Sequence, residues 1–412
     1  MNTDKSQAAE TERAGGAPER APLNFPVIGI GASAGGIQAL IRFFEHMPND
    51  SGMAFVIVLH LSPKHESRAD QVLQRVTQMP VHQVVKPTPI QQNAVYLISP
   101  SNDLAMTDGF LNVTSVQRAH GRPVAIDLFF RSLAENHRER AISIVMSGSG
   151  SDGAVGIGRI KEQAGVTIVQ SPDDAEYDEM PKSAIATGQA DIVLPVAEMP
   201  QKLIELWQNA RRIRLPEAPE LHFPRDPASD AEQLLRGILT TLRARTGHDF
   251  YHYKRATVLR RIERRMQVNA LADLRAYRQF VDEHAEETSL LLRDLLIGVT
   301  NFFRDREAFD AVARDIGPSL LESKKHDDQI RIWVPGCSTG EEAYSHAMVF
   351  TELLGGGNRL PVLQIFATDI DERAINIARA AVYPESIAAD VPASRLRRFF
   401  TKSRGHYVLA GR

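Results

Sequence analysis

Residues 27–36 read Val-Ile-Gly-Ile-Gly-Ala-Ser-Ala-Gly-Gly, an apolar β-branched run that breaks into a glycine turn and opens a helix. Gly31, Ser33 and Gly35 match the G-x-S-x-G elbow, in which glycines let the backbone turn sharply and leave a serine hydroxyl exposed above a sheet. The hydroxyl then lies near the amide-rich start of a helix, where a developing oxyanion is stabilised. Gly29, Gly31 and Ala34 also match a dinucleotide-type G-x-G-x-x-G/A, and a small residue before a helix is an ordinary N-cap. Taken alone, the stretch fits a nucleophile and a phosphate loop equally. Both make it the first βα unit of an α/β fold.

Working outward, short β-branched runs at Val27–Ile30, Phe55–Leu59, Val95–Ile98, Ile142–Met146, Val166–Val169 and Ile192–Leu194 alternate with helical periodicity at Gly36–His46, Ser67–Gln78, Ala125–Asn136 and Ala154–Gln163. That alternation predicts a parallel, doubly wound sheet covered on both faces, with right-handed crossovers. Residues 1–24 read as a disordered polar tail, and 25–210 as this first α/β domain. The four prolines of 212–230 break helices and cannot donate to a ladder, so 211–230 is the expected linker. Residues 231–296 carry helical pattern only. Strand–helix alternation returns at Ile330–Val334 and Leu363–Thr368, so 297–412 is expected to be part of a second, Rossmann-like α/β domain, with a further element at His406–Leu409.

Composition narrows the function classes. Across 412 residues the hydrophobic share is 43%, the charged share 24% and the net charge -3, which is globular and gives no global attraction to nucleic acid or membrane. The one cysteine, Cys337, leaves no intramolecular disulfide and no multi-cysteine zinc site, and fits a reducing compartment. Without an apolar run of about 20 residues, no membrane insertion is expected, and a cytoplasmic location is. No metal site is expected.

The chemistry-bearing residues of the first domain share one kind of position. Ser33 follows the first strand, His60 follows Phe-Val-Ile-Val-Leu59, and Asp152 stands in Met146-Ser-Gly-Ser-Gly-Ser-Asp-Gly-Ala154 after another strand. Singly, each has an ordinary structural role: a turn, a packed histidine, a helix cap. Together they occupy the carboxyl ends of three strands, where open parallel sheets gather their active groups. A serine nucleophile needs a base, and the base needs a carboxylate to fix its tautomer. A dinucleotide site would instead want an acid after the second strand, where His60 stands.

These motifs resemble the chemotaxis-receptor methylesterases (CheB type) over about residues 25–205: Gly-Ala-Ser-Ala-Gly-Gly36, Val-Leu-His60-Leu-Ser-Pro, Tyr-Leu-Ile-Ser-Pro100 and the segment around Asp152 align in order. The resemblance implies Ser33 as nucleophile, His60 as base and Asp152 as its orienting acid, with no cofactor, acting on γ-glutamyl methyl esters and glutamine amides of the helical cytoplasmic region of methyl-accepting chemoreceptors. The family usually has threonine at Ala34 and methionine at Ser149. Its receiver domain normally precedes this unit, so phosphorylation of this chain in cis is not expected.

Arg243–Arg265 holds eight basic residues against Asp249 and Glu263, with Val258, Leu259, Ile262 and Met266 on one helical stripe. The arginines read as a solvated face or as a dock for an acidic helix; nucleic acid is disfavoured because no aromatic residues interleave. Downstream, Val299-Thr-Asn-Phe-Phe-Arg-Asp305, the strand–glycine loop–helix of Ile330–Tyr344, and a second strand ending at Asp369 fit an adenosyl cofactor, the acid meeting ribose hydroxyls. Thr339 with Glu342 could equally form a capping box. These segments look like the chemotaxis-receptor glutamate methyltransferases (CheR type) over about 232–412. That likeness implies S-adenosylmethionine held by Thr300, Arg304, Glu342 and Asp369, and an arginine-rich helix facing the receptor. The family continues with an Asn-Leu pair and further strands, so a half-built pocket and no robust methyl transfer are expected of this chain. A nucleotide-binding oxidoreductase using the N-terminal glycine turn, and a non-catalytic signalling scaffold, are the alternatives.

Overall fold

The computed structural model describes residues 23–60, 68–99, 102–115, 124–215, 229–322, 324, 328–355, 361–403 and 405–410. The expected polar tail, save its last two residues, and most of the expected linker lie outside the described residues. In chain order the first unit contains β1 (Val27–Ala32), α1 (Gly36–His46), β2 (Ala54–Leu59), α2 (Ala69–Gln74), β3 (Val81–Val84), β4 (Thr88–Pro89), β5 (Ala94–Ile98), β6 (Asn102–Thr107), β7 (Phe110–Ser115), α3 (Ala125–His137), β8 (Ala141–Val145), α4 (Gly156–Glu162), β9 (Val166–Gln170), α5 (Glu179–Ala186), β10 (Ile192–Leu194) and α6 (Met199–Ala210).

Seven of these strands form one parallel sheet in the order β10-β9-β8-β1-β2-β5-β3. Its central strands are apolar on both faces because helices cover both. Val27 packs with Phe129, Phe130 and Ile157 on one side, while Ile28 and Ile30 pack with Phe43, Phe44 and Leu203 on the other. Each such large side chain contributes about 1.5–3 kcal/mol on burial. Gly29 and Gly31 lie inside β1 rather than in a turn, and a Cβ on Gly31 would fall 2.4 Å from Ile126 of α3. Those glycines seat a helix against the sheet, so the phosphate-loop alternative fails: such a loop needs its glycines beyond the strand end.

β3, and the antiparallel sheet β4-β7-β6, lie outside the strands expected from sequence pattern. Its hairpin turns at Asp108-Gly109, whose φ values of 49° and 77° suit the Asp-Gly type I′ turn. Leu104, Met106 and Leu111 alternate from it into the core.

The helical unit comprises α7 (Asp230–Thr246), α8 (Arg255–Val268), α9 (Leu274–Glu283) and α10 (Ala285–Leu295) around a core of their own that includes Ile238, Leu242, Ile262 and Tyr277. Four of the five arginines of α8 are withdrawn from solvent and from any partner, which corrects both readings for them, while Arg260 is half-buried and Arg243, Arg245 and Lys254 are exposed. Arg255, Arg261, Arg264 and Arg265 are buried. Arg264 pairs with Asp191 of the first unit and with Asp294 of α10, and its Nε donates to the Gly165 carbonyl at 2.9 Å. Lys161 reaches the same two carboxylates at 3.1 and 3.3 Å. Arg261 donates to the carbonyls of Lys161 and Glu162 at 2.8 and 2.9 Å, and Arg265 binds Glu287 within the helical unit. An amphipathic pattern marks the face but does not say whether water or a neighbouring domain meets it.

The last unit holds α11 (Arg306–Ala311), α12 (Gly317–Glu322), β11 (Gln329–Pro335), α13 (Glu341–Leu354), β12 (Val362–Thr368), α14 (Glu372–Ala380), β13 (Val382–Pro384), α15 (Ala393–Phe399), β14 (Phe400–Ser403) and β15 (His406–Leu409). β11 and β12 pair in parallel, with Pro335 opposite Thr368. β15 does not extend that sheet; it pairs antiparallel with β13 and β14 in a sheet of its own. Trp333 and Phe366 stay 67% and 53% exposed on the β11–β12 pair.

Candidate active site

Register explains why three distant side chains share one rim. Ala32 of β1 pairs with Leu59 of β2, and Gly31 with Val145 of β8, so these strands end together. Beyond those ends, the Ser33 amide donates to the Ser147 carbonyl at 3.0 Å and the His60 amide to the Ala32 carbonyl at 3.2 Å. Ser33, His60 and Asp152 line one cleft of about 240 Å³.

His60 Nε2 lies 2.8 Å from Asp152 Oδ2. The pair is largely withdrawn from water, with side chains 15% and 4% exposed. Asp152 does not cap the helix that follows it. It crosses to the start of α3, where its oxygens accept from the amides of Ile126 and Asp127 at 3.0 and 2.9 Å, besides that of Gly153 at 3.0 Å. Backbone donors at a helix start hold a carboxylate in place. With Nε2 committed to Asp152, Nδ1 is the nitrogen left to serve Ser33. Among the described residues no hydrogen bond yet joins the two, a looseness common before substrate arrives.

The turn after Ser33 is fixed from below. Gly35 takes a left-handed φ of 71°, and Ser147 Oγ donates to the Ala34 carbonyl at 2.8 Å while accepting from the Tyr177 amide at 3.0 Å. Among the described residues the Ala34 and Gly35 amides donate no hydrogen bond, which leaves both free to meet an oxyanion. Gly148 forms the opposite wall: a Cβ there would come within 2.9 Å of Ser33 Cβ and 2.1 Å of Met180 Sδ. Ser147, Gly148 and the second buried carboxyl, Asp127, escaped the sequence reading. Burial, and then the neighbouring Asp152 charge, push Asp127 well above the usual carboxylate range.

The second unit offers a cavity of about 580 Å³ between α13, β12 and α14, lined by Cys337, Gly340, Tyr344, Asp369, Ile370 and Arg379 among others. Asp369 accepts from the Ser338 amide of the glycine loop at 2.7 Å and from the Asp371 amide at 2.8 Å. A carboxylate and a small-residue loop at adjacent strand ends fit the ribose side of an adenosyl group. Of the four residues expected to hold it, only Asp369 lines this cavity. Thr300 lies on the segment that Ser338 Oγ ties to the loop through the Gly298 carbonyl, at 2.5 Å. Arg304 turns away, donating to the Val299 carbonyl at 2.9 Å and facing Glu162 of the first unit at 3.5 Å. Glu342 points to solvent near His346, at 3.9 Å. Its neighbour Glu341 is the buried acid; loss of water lifts it to about 7 although the Thr339 hydroxyl donates to it at 2.6 Å. Thr339 therefore serves Glu341 and forms no capping box with Glu342. Among the described residues no cluster of three or more His, Cys, Asp or Glu side chains is placed to ligate a metal, and no helix is long and apolar enough to cross a membrane.

Comparison with known proteins gives three consecutive matches. Residues 28–203 match the CheB methylesterase family, 233–296 the all-alpha domain of CheR methyltransferases, and 298–410 their SAM binding domain. A 104.1 kDa uncharacterized protein of Rhodobacter capsulatus is 36% identical over 357 residues, covering 82% of this chain; the chain spans 37% of that relative. A Leptospira interrogans protein, named as a candidate protein-glutamate methylesterase/protein-glutamine glutaminase, is 30% identical over 188 residues, covering 45% of this chain and 97% of its own length. A Burkholderia thailandensis protein-glutamate methylesterase/protein-glutamine glutaminase is 31% identical over 46% of this chain and 56% of its own. Among solved structures, the CheB methylesterase catalytic domain of Thermotoga maritima is 26% identical, with a TM-score of 0.42, over 45% of this chain and all of that one.

Proposed function

The chain belongs to the CheB methylesterase family and carries the two CheR domains behind it, and from that premise we propose that residues 25–210 hydrolyse γ-glutamyl methyl esters, and glutamine amides, on the helical cytoplasmic region of chemoreceptors. The observation that carries the reading is the His60–Asp152 hydrogen bond at the mouth of a cleft shared with Ser33. Ser33 Oγ attacks the ester carbonyl as its proton passes to His60 Nδ1. The Ala34 and Gly35 amides take the oxyanion, and methanol leaves with the proton from His60. Water, deprotonated by the same imidazole, then attacks the acyl-serine, and glutamate departs with Ser33 restored. Asp152 holds the imidazole in the tautomer that presents Nδ1 as acceptor. Volatile methanol released from a methylated receptor fragment tests this directly; no release, with Ser33 intact, would overturn it.

For residues 231–412 we infer an S-adenosylmethionine-binding unit of the kind that makes the ester which the first unit removes, with its pocket only part-built in this chain. When bound, the cofactor supplies an electrophilic methyl group. Asp369 would receive its ribose hydroxyls, and the Cys337–Gly340 loop would lie along its amino-acid side. Thr300, Arg304 and Glu342 enter this reading only through family likeness, since the last two face elsewhere. Equilibrium binding of S-adenosylmethionine, abolished by Asp369→Ala, is the test.

A further inference from the structure

The cleft holding Ser33, His60 and Asp152 is not walled by the first unit alone. Glu385 and Ser386, from the turn Glu385–Ala389 that follows β13 more than 200 residues away, line the same cavity as Ser33, Ser149 and Ser151. Ser386 is buried there, and among the described residues its hydroxyl has no hydrogen-bond partner. The corner is pinned. Asp390, at the end of the turn, receives a two-pronged bond from Arg131 of α3, Nη1 to Oδ1 at 3.0 Å and Nη2 to Oδ2 at 3.1 Å. Lys402 steadies Glu385 at 3.3 Å, and behind the corner Arg159 bonds Asn301 while Arg304 meets Glu162.

Size decides what this corner does. A cleft of about 240 Å³ holds one small side chain. The substrate proposed above is a side chain on a folded helix about 10–12 Å across, whose backbone must come alongside the rim to bring its ester to Ser33. Glu385 and Ser386 occupy part of the lining that such a helix would have to pass, whereas a small free ester needs only the cleft itself. We propose that the transferase-type unit gates the esterase: its Glu385–Asp390 corner closes the cleft to helix-borne esters, and release of the Arg131–Asp390 bond opens it. The inference rests on the Ser33–His60–Asp152 reading.

The bond holding the gate is partly exposed, with side chains 27% and 13% accessible. Pairs of this kind shift an equilibrium by modest factors, which suits a gate that a docking receptor must open.

The experiment uses the full chain and follows phosphonylation of Ser33 by mass spectrometry with two probes: diisopropyl fluorophosphate, and a fluorophosphonate mounted on the side chain of a helical peptide. Asp390→Ala should raise labelling by the helical probe by about three- to tenfold, with Asp390→Arg higher still because it faces Arg131. Asp390→Glu, which keeps the pair, should stay at the native rate, and the small probe should label all four proteins alike. An unchanged helical-probe rate in Asp390→Ala and Asp390→Arg, with the small probe normal, overturns the gate. So does a joint fall of both probes, which would mean the corner supports the site instead of shutting it. If neither probe labels Ser33 in any of the four proteins, the triad reading itself falls, and the gate with it.

Discussion

Arg264 of the helical unit is bonded to Asp191 of the esterase unit in a place with almost no access to water, each side chain being at most 1% exposed. With Lys161 and Asp294 they form a neutral quartet of two cations and two anions. Removing one member of such a group leaves an uncompensated buried charge, which costs more than the group contributes when whole.

Arg264→Met should therefore destabilise the chain by about 3–5 kcal/mol. Denaturant melts of the variant and the native chain give the difference, and a change below about 1 kcal/mol would mean that the quartet is hydrated in solution.

Acid should loosen the same junction. Burial alone would raise Asp191, but Arg264 and Lys161 outweigh it and hold the carboxyl at about 2, below its ordinary 3.8. A depressed acid contributes stability above its unfolded value, and that contribution disappears as pH falls from about 4 towards 2. Proteolysis within 211–230 should accelerate across that window, and less so in Asp191→Asn.

Ser33→Ala should lower methanol release by about 10³-fold or more, and Asp152→Asn by about 10²–10⁴-fold through loss of the tautomer that serves Ser33. Both variants should keep native circular dichroism, because Ser33 is half-buried and asparagine preserves the shape of Asp152. Near-normal hydrolysis by either would remove the residue from the mechanism.

Gly148→Ala tests the wall behind Ser33. The added methyl meets Met180 and Ser33, so turnover should drop about ten- to hundredfold, with an overpacking cost of about 1–3 kcal/mol. Small-ester kinetics and thermal melts read both, and a variant with native kcat would show that the contact does not position Ser33.

The buried Glu341 should set a pH slope of its own. Its folded value near 7 lies above the ordinary 4.5, so the unfolded chain ionises first and stability declines as pH rises from about 4.5 to 7. Glu341→Gln should flatten that slope and gain up to about 3 kcal/mol at pH 8 relative to the native chain. Melting profiles at pH 5 and pH 8 decide it; parallel profiles would refute the assignment.

The parallel sheet was legible because its strands are buried on both faces and so read as unbroken β-branched runs. The rim was legible for a related reason: in-register parallel strands end together, so Ser33 and His60 each needed only to follow a strand. Other features are invisible to local pattern. Periodicity gave α8 a polar face without saying that the first unit covers it. Two adjacent glutamates at the start of α13 have the same chemistry, yet the helix buries Glu341 and exposes Glu342. His406–Leu409 is β-branched enough to be a strand, but its partners β13 and β14 are a matter of tertiary pairing. The Asp108-Gly109 turn was readable and was overlooked.

Helix α3 links two parts of the molecule mechanically. Its first turn supplies the Ile126 and Asp127 amides that grip Asp152, and one turn later it presents Arg131 to Asp390. One helix thus seats both the carboxylate beside His60 and the cation that holds the far unit, so the rim of the first domain and its neighbour are positioned from the same two turns of backbone.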